Sequence, residues 1–463
     1  MKKFAFWLIV PTLLSSCESF LDLTPPDDVA DDAVLTSADG LISARIGMYN
    51  ALQQDAYYGG FFPLMIDAYS DNGAAGGYDA PQLNQFNEKN LGADNIFIDN
   101  LWVAAYQVIY TANRILAQID GIADPALSDE LRADIKGEAL AVRALAHFDL
   151  LRTFGEHWDV TSSFGIPLMT EADDPMVPKG RATVAACYQR ITDDLQLARQ
   201  LISNEDLVYG TGLKSAAFLT PHAVAALQAR VALYQKDYAA AKQFASEVIN
   251  SGGYQLLEDP VRIYRERLTP ESIFELQFTT QDQSQYNNLT YVRDDALRVD
   301  VYFLANRLLN DFFNARPGDL RAQLVNFDPA ANDGSIQPDG RTQKYRGEES
   351  RDNPAFILRL AELYLIRAEA SAMLGDLTTC QNDLQVLASV RGSTLPPIGA
   401  DNFMDIVQEE RRAELNFEGH RYFDLARIGK VAEVIGQQVL PVFPIPINQL
   451  LASGGLIQQY PGY

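Results

Sequence analysis

Two stretches far apart in this chain share one layout. Residues 225–250 read AALQARVALYQKDYAAAKQFASEVIN, and residues 361–387 read AELYLIRAEASAMLGDLTTCQNDLQVL. In both, apolar and small residues recur every three to four positions, the spacing of one helix face. In both, an acid opens a second such run, Asp237-Tyr238-x-x-Ala241 in one and Asp376-Leu377-x-x-Cys380 in the other. That element marks the turn into a second helix, so each stretch is expected to be two helices joined by a tight turn. Small side chains such as Ala241 let the paired helices approach, and Cys380 takes the matching place. A third pair is expected from NLWVAAYQVIYTANRILAQID, residues 100–120, into ELRADIKGEALAVRALAHFDLLRTFG, residues 130–155, with Asp124-Pro125 as turn and Ser128-Asp129 as cap.

Hairpins of this tetratricopeptide kind point to a mainly α fold, with long irregular loops and minor β between the units. At 463 residues and 47% hydrophobic, the chain has enough apolar surface for one large core or two smaller ones without disulfides. Cys187 and Cys380 both sit at helix positions that suit a small buried side chain and are expected to be free thiols. Trp102 shares a helical face with Tyr106 and Ile109 and is assigned to the core; Trp158, in FGEHWDV, is left open.

The net charge of −24 and a pI near 4.5, with no basic run, exclude nucleic acid as a partner. The start, MKKFAFWLIVPTLLSSC, has two lysines, an apolar run from Phe4 to Leu14, and small residues up to Cys17. That run is too short to span a bilayer and is broken by Pro11, so residues 1–16 read as a secretory signal. Leu14-Ser15-Ser16-Cys17 matches a lipoprotein cleavage box. Cys17 is then the lipidated first residue, residues 17–30 a tether, and residues 31–463 one helical domain. Losing Lys2 and Lys3 moves the net charge to −26.

Two long segments lack helical period, 68–90 and 278–300. Loops of that length inside a domain are usually functional or disordered, and their aromatics and amides favour function. A sugar presents flat C–H faces and hydroxyl edges, so its site needs aromatic rings with amides, acids or Arg at the rim. The candidate ligand-binding residues are therefore Tyr69, Asp71, Asn72, Tyr78 and Gln82 from the first segment, and Tyr286, Asn287, Asn288, Tyr291 and Arg293 from the second. The acidic charge favours a neutral glycan, which a local pair such as Arg293 and Arg298 would undo. Asp67, Asp71 and Asp79 fit no calcium loop and read as solvated turn acids. The four histidines share no metal-ligand spacing, and no motif points to a metal or a cofactor.

The densest chemistry lies in EERRAELNFEGHRYFDLAR, residues 409–427. Glu410, Glu414 and Glu418 are four apart, so one helix would stack them, with Arg411 and Arg421 near and Gly419 ending the helix. Packing explains this mixture without catalysis, since Arg–carboxylate pairs lock helix corners. On that reading Arg421→Ala or Glu418→Ala damages folding rather than turnover.

The stretch from Glu410 to Arg427 also closely resembles the C-terminal signature of the SusD/RagB family of outer-membrane lipoproteins. Cys17-Glu18-Ser19-Phe20-Leu21-Asp22 is similar to the family's mature start, LRLAELYLIRAEA at 358–370 to its late helix, and FPIPINQL with PGY to its ending. Tyr460 before Pro461, where Asn is usual, and Gln449, where an acid is common, are the departures. The resemblance implies a SusD-like fold held on a Gram-negative cell surface by the lipid on Cys17. It implies a non-enzymatic hinged lid on a SusC-like TonB-dependent transporter, capturing oligosaccharides or, in one branch, peptides. It transfers no binding residues. A glycan-capturing lid leads, a peptide-capturing lid is the alternative, and a surface glycosidase lacks a convincing pair of carboxylates outside the charged stretch.

Overall fold

In the computed structural model the described residues are 35–75, 81–172, 177–203, 215–290, 302–326, 340–346 and 350–463. The chain opens with α1 (Ala38–Leu52), α2 (Phe61–Ala68), β1 (Gly73–Ala75) and α3 (Pro81–Asn87), then forms the long helices α4 (Ile96–Gln118) and α5 (Asp129–Phe154). Next come α6 (Val184–Leu201), α7 (Pro221–Gln235), α8 (Tyr238–Asn250), α9 (Pro260–Arg265), β2 (Ser272–Leu276), α10 (Tyr286–Thr290), β3 (Phe303–Ala305) and α11 (Arg307–Asn314). The last part holds β4 (Val325–Asn326), β5 (Arg341–Thr342), β6 (Ala355–Arg359), α12 (Leu360–Met373), α13 (Leu377–Val390), α14 (Phe403–Leu415), α15 (Arg421–Arg427), α16 (Val431–Val434) and α17 (Ile447–Ala452).

All three expected hairpins form, as α4–α5, α7–α8 and α12–α13. Ser128 caps α5 as expected, and the two turn acids Asp237 and Asp376 cap α8 and α13. Asp237 accepts from the Ala240 amide at 3.1 Å, Asp376 from Thr379 at 3.0 Å, and Ser128 from Leu131 at 3.1 Å. The turn before each of the two Asp caps needs a left-handed residue. Gly375 supplies it without strain at φ 84°, whereas Lys236 adopts φ 64°. The helices stack as a layer, α5 on α4 and α6, α7 on α8, and α12 on both α8 and α13.

Helix α5 is the axis of this layer, buried on every side from Gly137 to Phe154. A side chain at Gly137 would meet Ile202 Cγ1 at 2.6 Å, so glycine there is what lets α6 pack close. Buried charges need partners. Glu138 is held by Arg45 through two bonds of 2.6 Å, and Arg143 by Asp194 at 2.7 and 2.8 Å. Cys187 and Cys380 are buried and unpaired. Trp102 is 4% exposed and packs edge-on against Phe154 in the core, and Trp158 is half-buried against the same core.

The β structure is minor and entirely antiparallel among the described residues. It joins distant segments, β1 with β3, β2 with β6, and β4 with β5. Gly73 lies opposite Ala305, and the Asn306 amide donates to the Asn72 carbonyl oxygen at 2.9 Å. This ladder brings the described end of the 68–90 segment against the strand that follows the 278–300 segment. No helix among the described residues is long and apolar enough to cross a membrane.

Candidate functional site

The stretch 409–427 is a buried charge network. Helix α14 stops at Leu415, so Glu410 and Glu414 share a helix while Glu418 lies beyond its end, which differs from the three-acid stack expected. Phe417 and Gly419 take left-handed φ values of 59° and 78°, and a Cβ on Gly419 would sit 2.9 Å from Pro63 Cα. Close backbone approach, rather than helix ending alone, is what demands glycine there.

The partners also differ from those expected. Glu418 accepts from Arg359 Nε and Nη2 at 2.8 Å each, from Lys344 Nζ at 2.6 Å and from the Tyr264 hydroxyl at 2.8 Å. Arg391 and Arg359 both bridge Glu414 to Glu271. Glu410 is bound by Arg321 at 2.9 Å and by Arg316. Arg411 turns to Asp424 at 2.8 Å, and Arg421 binds Asp71 at 2.7 and 3.0 Å. The cations on Glu410, Glu414 and Glu418 come from between residues 316 and 391, so the network ties four distant segments to one corner.

Burial by itself raises the carboxyls of Glu414 and Glu418. The guanidiniums of Arg391, Arg359 and Arg321 outweigh it at Glu414, and Arg359 with Lys344 at Glu418, holding both below the usual range. Asp71 is likewise held low by Arg421 and Arg412, against its burial. Asp67 goes the other way: burial pushes it up to about 6, although it accepts from Asn72 and the Gly419 amide. Burial also raises Glu138 and Glu275.

The pH dependence follows from these signs. The depressed carboxyls contribute stability that is complete above the ordinary carboxylate pKa of about 4 and lost as pH falls below it. Asp67 contributes most below about 4 and loses its contribution as pH rises through about 6. Burial, with the neighbouring guanidiniums of Arg143, Arg152 and Arg230, holds His147, His157 and His420 below the ordinary imidazole range, so their contribution is complete above about pH 6.5 and lost in acid. Three such groups outweigh Asp67, and thermal melts across a pH series are expected to rise out of acid and level off near neutrality. A melting temperature that falls steadily between about pH 4 and 6.5 would contradict this balance.

An open cleft of about 560 Å³ lies elsewhere, between the turn before α2 and the first turns of α4. Phe61 and Phe97 line it and stack on each other, centroids 5.2 Å apart and planes 26° apart, with Phe303 edge-on to Phe61 at 6.0 Å. Gln54, Asp55, Ala56, Asn100, Val103 and Ala104 complete the lining. Asp55 and Asn100 are exposed, and partial burial raises the Asp55 carboxyl. Helix α10 lies alongside, because the Gln285 amide donates to the Gly59 carbonyl oxygen at 2.7 Å. Gln285 also accepts from Asn288 Nδ2 at 2.8 Å.

The structure places the nominated residues unevenly. Tyr69 is buried among Phe86, Tyr422 and Phe443. Tyr286 is buried, stacked on Tyr345 at 4.0 Å, and its hydroxyl donates to the Tyr58 carbonyl oxygen. Asp71 and Asn72 are buried in the charge network, Asn72 accepting from Arg412 at 2.8 Å. Burial takes these four away from solvent in this conformation. Asp67 and Asp71 are thus buried and bonded rather than solvated turn acids. Gln82 accepts from the Ile96 amide at 2.7 Å and so holds the first turn of α4, which carries Phe97. Asn287 and Asn288 are half-buried on α10. Tyr78, Tyr291, Arg293, Arg298, Asp79 and Cys17 lie outside the described residues.

Sequence reasoning passed over Phe61, Phe97 and Asn100. Phe61 and Phe97 sit in the apolar runs FFPLMI and IFI, which lack the mixture of rings and amides that marked the two long segments. The available signal was Asn100, three residues after Phe97 on a helix face that also carries Val103.

Comparison with known proteins bears on this geometry. Residues 19–233 match the SusD-like family model described as starch-binding and associating with the outer membrane, and residues 326–441 match the model of the SusD family. The chain belongs to the SusD/RagB family. The SusD-like protein P38 of Formosa agariphila is 24% identical over 535 residues, spanning all of both chains. A SusD superfamily protein from Bacteroides thetaiotaomicron superposes with a TM-score of 0.79 at 25% identity, covering 91% of this chain and 99% of that one. A laminarin-binding SusD-like protein superposes with a TM-score of 0.78 at 22% identity over 92% and 100% of the two chains. The helical SusD-like fold expected from the sequence is the fold observed.

Proposed function

We propose that this SusD-like protein captures a neutral oligosaccharide or polysaccharide at the cell surface and hands it, as a hinged lid, to a SusC-like TonB-dependent transporter. The supporting observation is the Phe61–Phe97 pair with its rim of Gln54, Asp55 and Asn100. Stacked apolar rings match the C–H faces of a sugar, and amide and carboxyl groups match its hydroxyls. The solved relative described as laminarin-binding shares this fold, which agrees with a glycan as ligand. Asn288, and Tyr78, Tyr291 and Arg293 of the two flanking segments, are proposed to extend the site. Lipidation at Cys17 after removal of residues 1–16, with 17–30 as tether and 31–463 as the domain, would hold it on the outer membrane.

Capture without cleavage is the reading supported by the acids. A glycosidase needs two carboxyls flanking one bond, about 5–9 Å apart. Among the described lining residues of the cleft there is one, Asp55, and Glu410, Glu414, Glu418 and Asp424 are paired inside the protein. Calorimetry of the chain from Glu18 onward, against neutral and acidic polysaccharides and a peptide mixture, is expected to give saturable binding to one neutral glycan class. A parallel assay should detect no new reducing ends. Binding confined to peptides would move the assignment to a peptide-capturing lid, and released reducing ends would overturn the non-catalytic reading.

A further inference from the structure

The exposed ridge of α4 separates the Phe61–Phe97 cleft from a second one of about 530 Å³. Val103, 52% exposed, lines both. On the far side, Trp102, Tyr106 and Tyr110 recur every four residues, so their rings follow one side of the helix. Trp102 forms the floor, 4.9 Å from the half-buried Tyr106 ring, and Tyr106 donates its hydroxyl to the Pro167 carbonyl oxygen at 2.8 Å. Tyr110 is half-buried and Gln107 exposed, and Glu171 and Gln449 stand across the opening. Rings at the base with amides and an acid at the edge repeat the chemistry of the first cleft.

We propose that the ligand is an extended glycan that crosses Val103 and occupies both clefts, with Tyr110 and Gln107 as contacts for its distal residues. This rests on the glycan reading above. At 1.5 Å rise per residue, Phe97 and Tyr110 are about 20 Å apart along α4, so a short oligomer reaches one cleft and only a longer one reaches both. Helix α4 thereby measures ligand length.

Calorimetry with laminaritriose and laminarihexaose, and with the malto- and cello-oligosaccharides of the same lengths, tests it. The wild-type chain is expected to bind the hexasaccharide of its preferred backbone tenfold or more tightly than the trisaccharide. Tyr110→Ala and the surface change Gln107→Ala should weaken the hexasaccharide several-fold and leave the trisaccharide unchanged. Gln107 is exposed, so its variant tests the contact even if Tyr110→Ala is unstable. Equal wild-type affinities for both lengths, or variants that bind the hexasaccharide as wild type does, would overturn the second cleft while leaving the first intact. No binding by any oligomer or parent polysaccharide would overturn the glycan reading itself.

Discussion

Glu418→Ala is expected to yield protein that fails to fold or melts far below the wild type. Its carboxylate is buried and accepts four hydrogen bonds, from Arg359, Lys344 and Tyr264. Removing it leaves the buried Lys344 with only the Glu414 carbonyl oxygen and takes from Arg359 one of its three carboxylate partners. Breaking one side of a buried ion pair costs about 3–5 kcal/mol, against a total stability of about 5–15 kcal/mol for a typical protein. Arg421→Ala should be milder, because Arg412 still stands 3.2 Å from Asp71. An exposed pair such as Lys430 and Glu433 serves as control, and Glu433→Ala should leave the melt unchanged. Urea unfolding by circular dichroism ranks the three. A Glu418→Ala protein with wild-type stability would show that the network is not what holds this corner.

The second large effect is expected on binding. Phe97→Ala removes one of the two stacked rings of the cleft and leaves Phe61 with only the edge of Phe303. Loss of one aromatic contact of this kind is worth about 1–2 kcal/mol, so glycan affinity should fall about five- to thirty-fold. Phe97 is half-buried at the start of α4, so the fold should survive, and Phe97→Tyr should restore most of the affinity. Asn100→Ala should cost less, since it removes a rim contact alone. Calorimetry with the glycan identified in the panel measures all three. Unchanged affinity in Phe97→Ala would place the sugar elsewhere, most directly on the flanking segments that carry Tyr78 and Tyr291.

The contrast between these two sites follows the range of the interactions. Helix pairing was legible because its causes are local: the period of small and apolar residues lies within one helix, and the caps Ser128, Asp237 and Asp376 act within three residues. The structural role of residues 409–427 was legible too, since acids and arginines crowded together without metal or nucleophile motifs suit packing. Their partners were not. Glu418 finds Arg359 and Lys344, and Glu414 finds Arg391 and Arg321, only once the chain has folded.

The proposed binding face shows the same division. Composition singled out two segments rich in aromatics and amides, and β1 pairing with β3 brings the flanks of both together. Which rings face solvent was beyond composition. Tyr69 and Tyr286 turn inward because each completes an aromatic cluster in the core, with Tyr422 and Phe443 for one and Tyr345 for the other. Phe61 and Phe97, from short apolar runs, line an open cleft because the turn before α2 and the first turns of α4 meet there. The sequence alone determined the helices, their caps and the family; tertiary structure decided the ion-pair partners and the solvent-facing rings. Helix period and capping act within a few residues, whereas exposure depends on neighbours supplied from tens to hundreds of residues away.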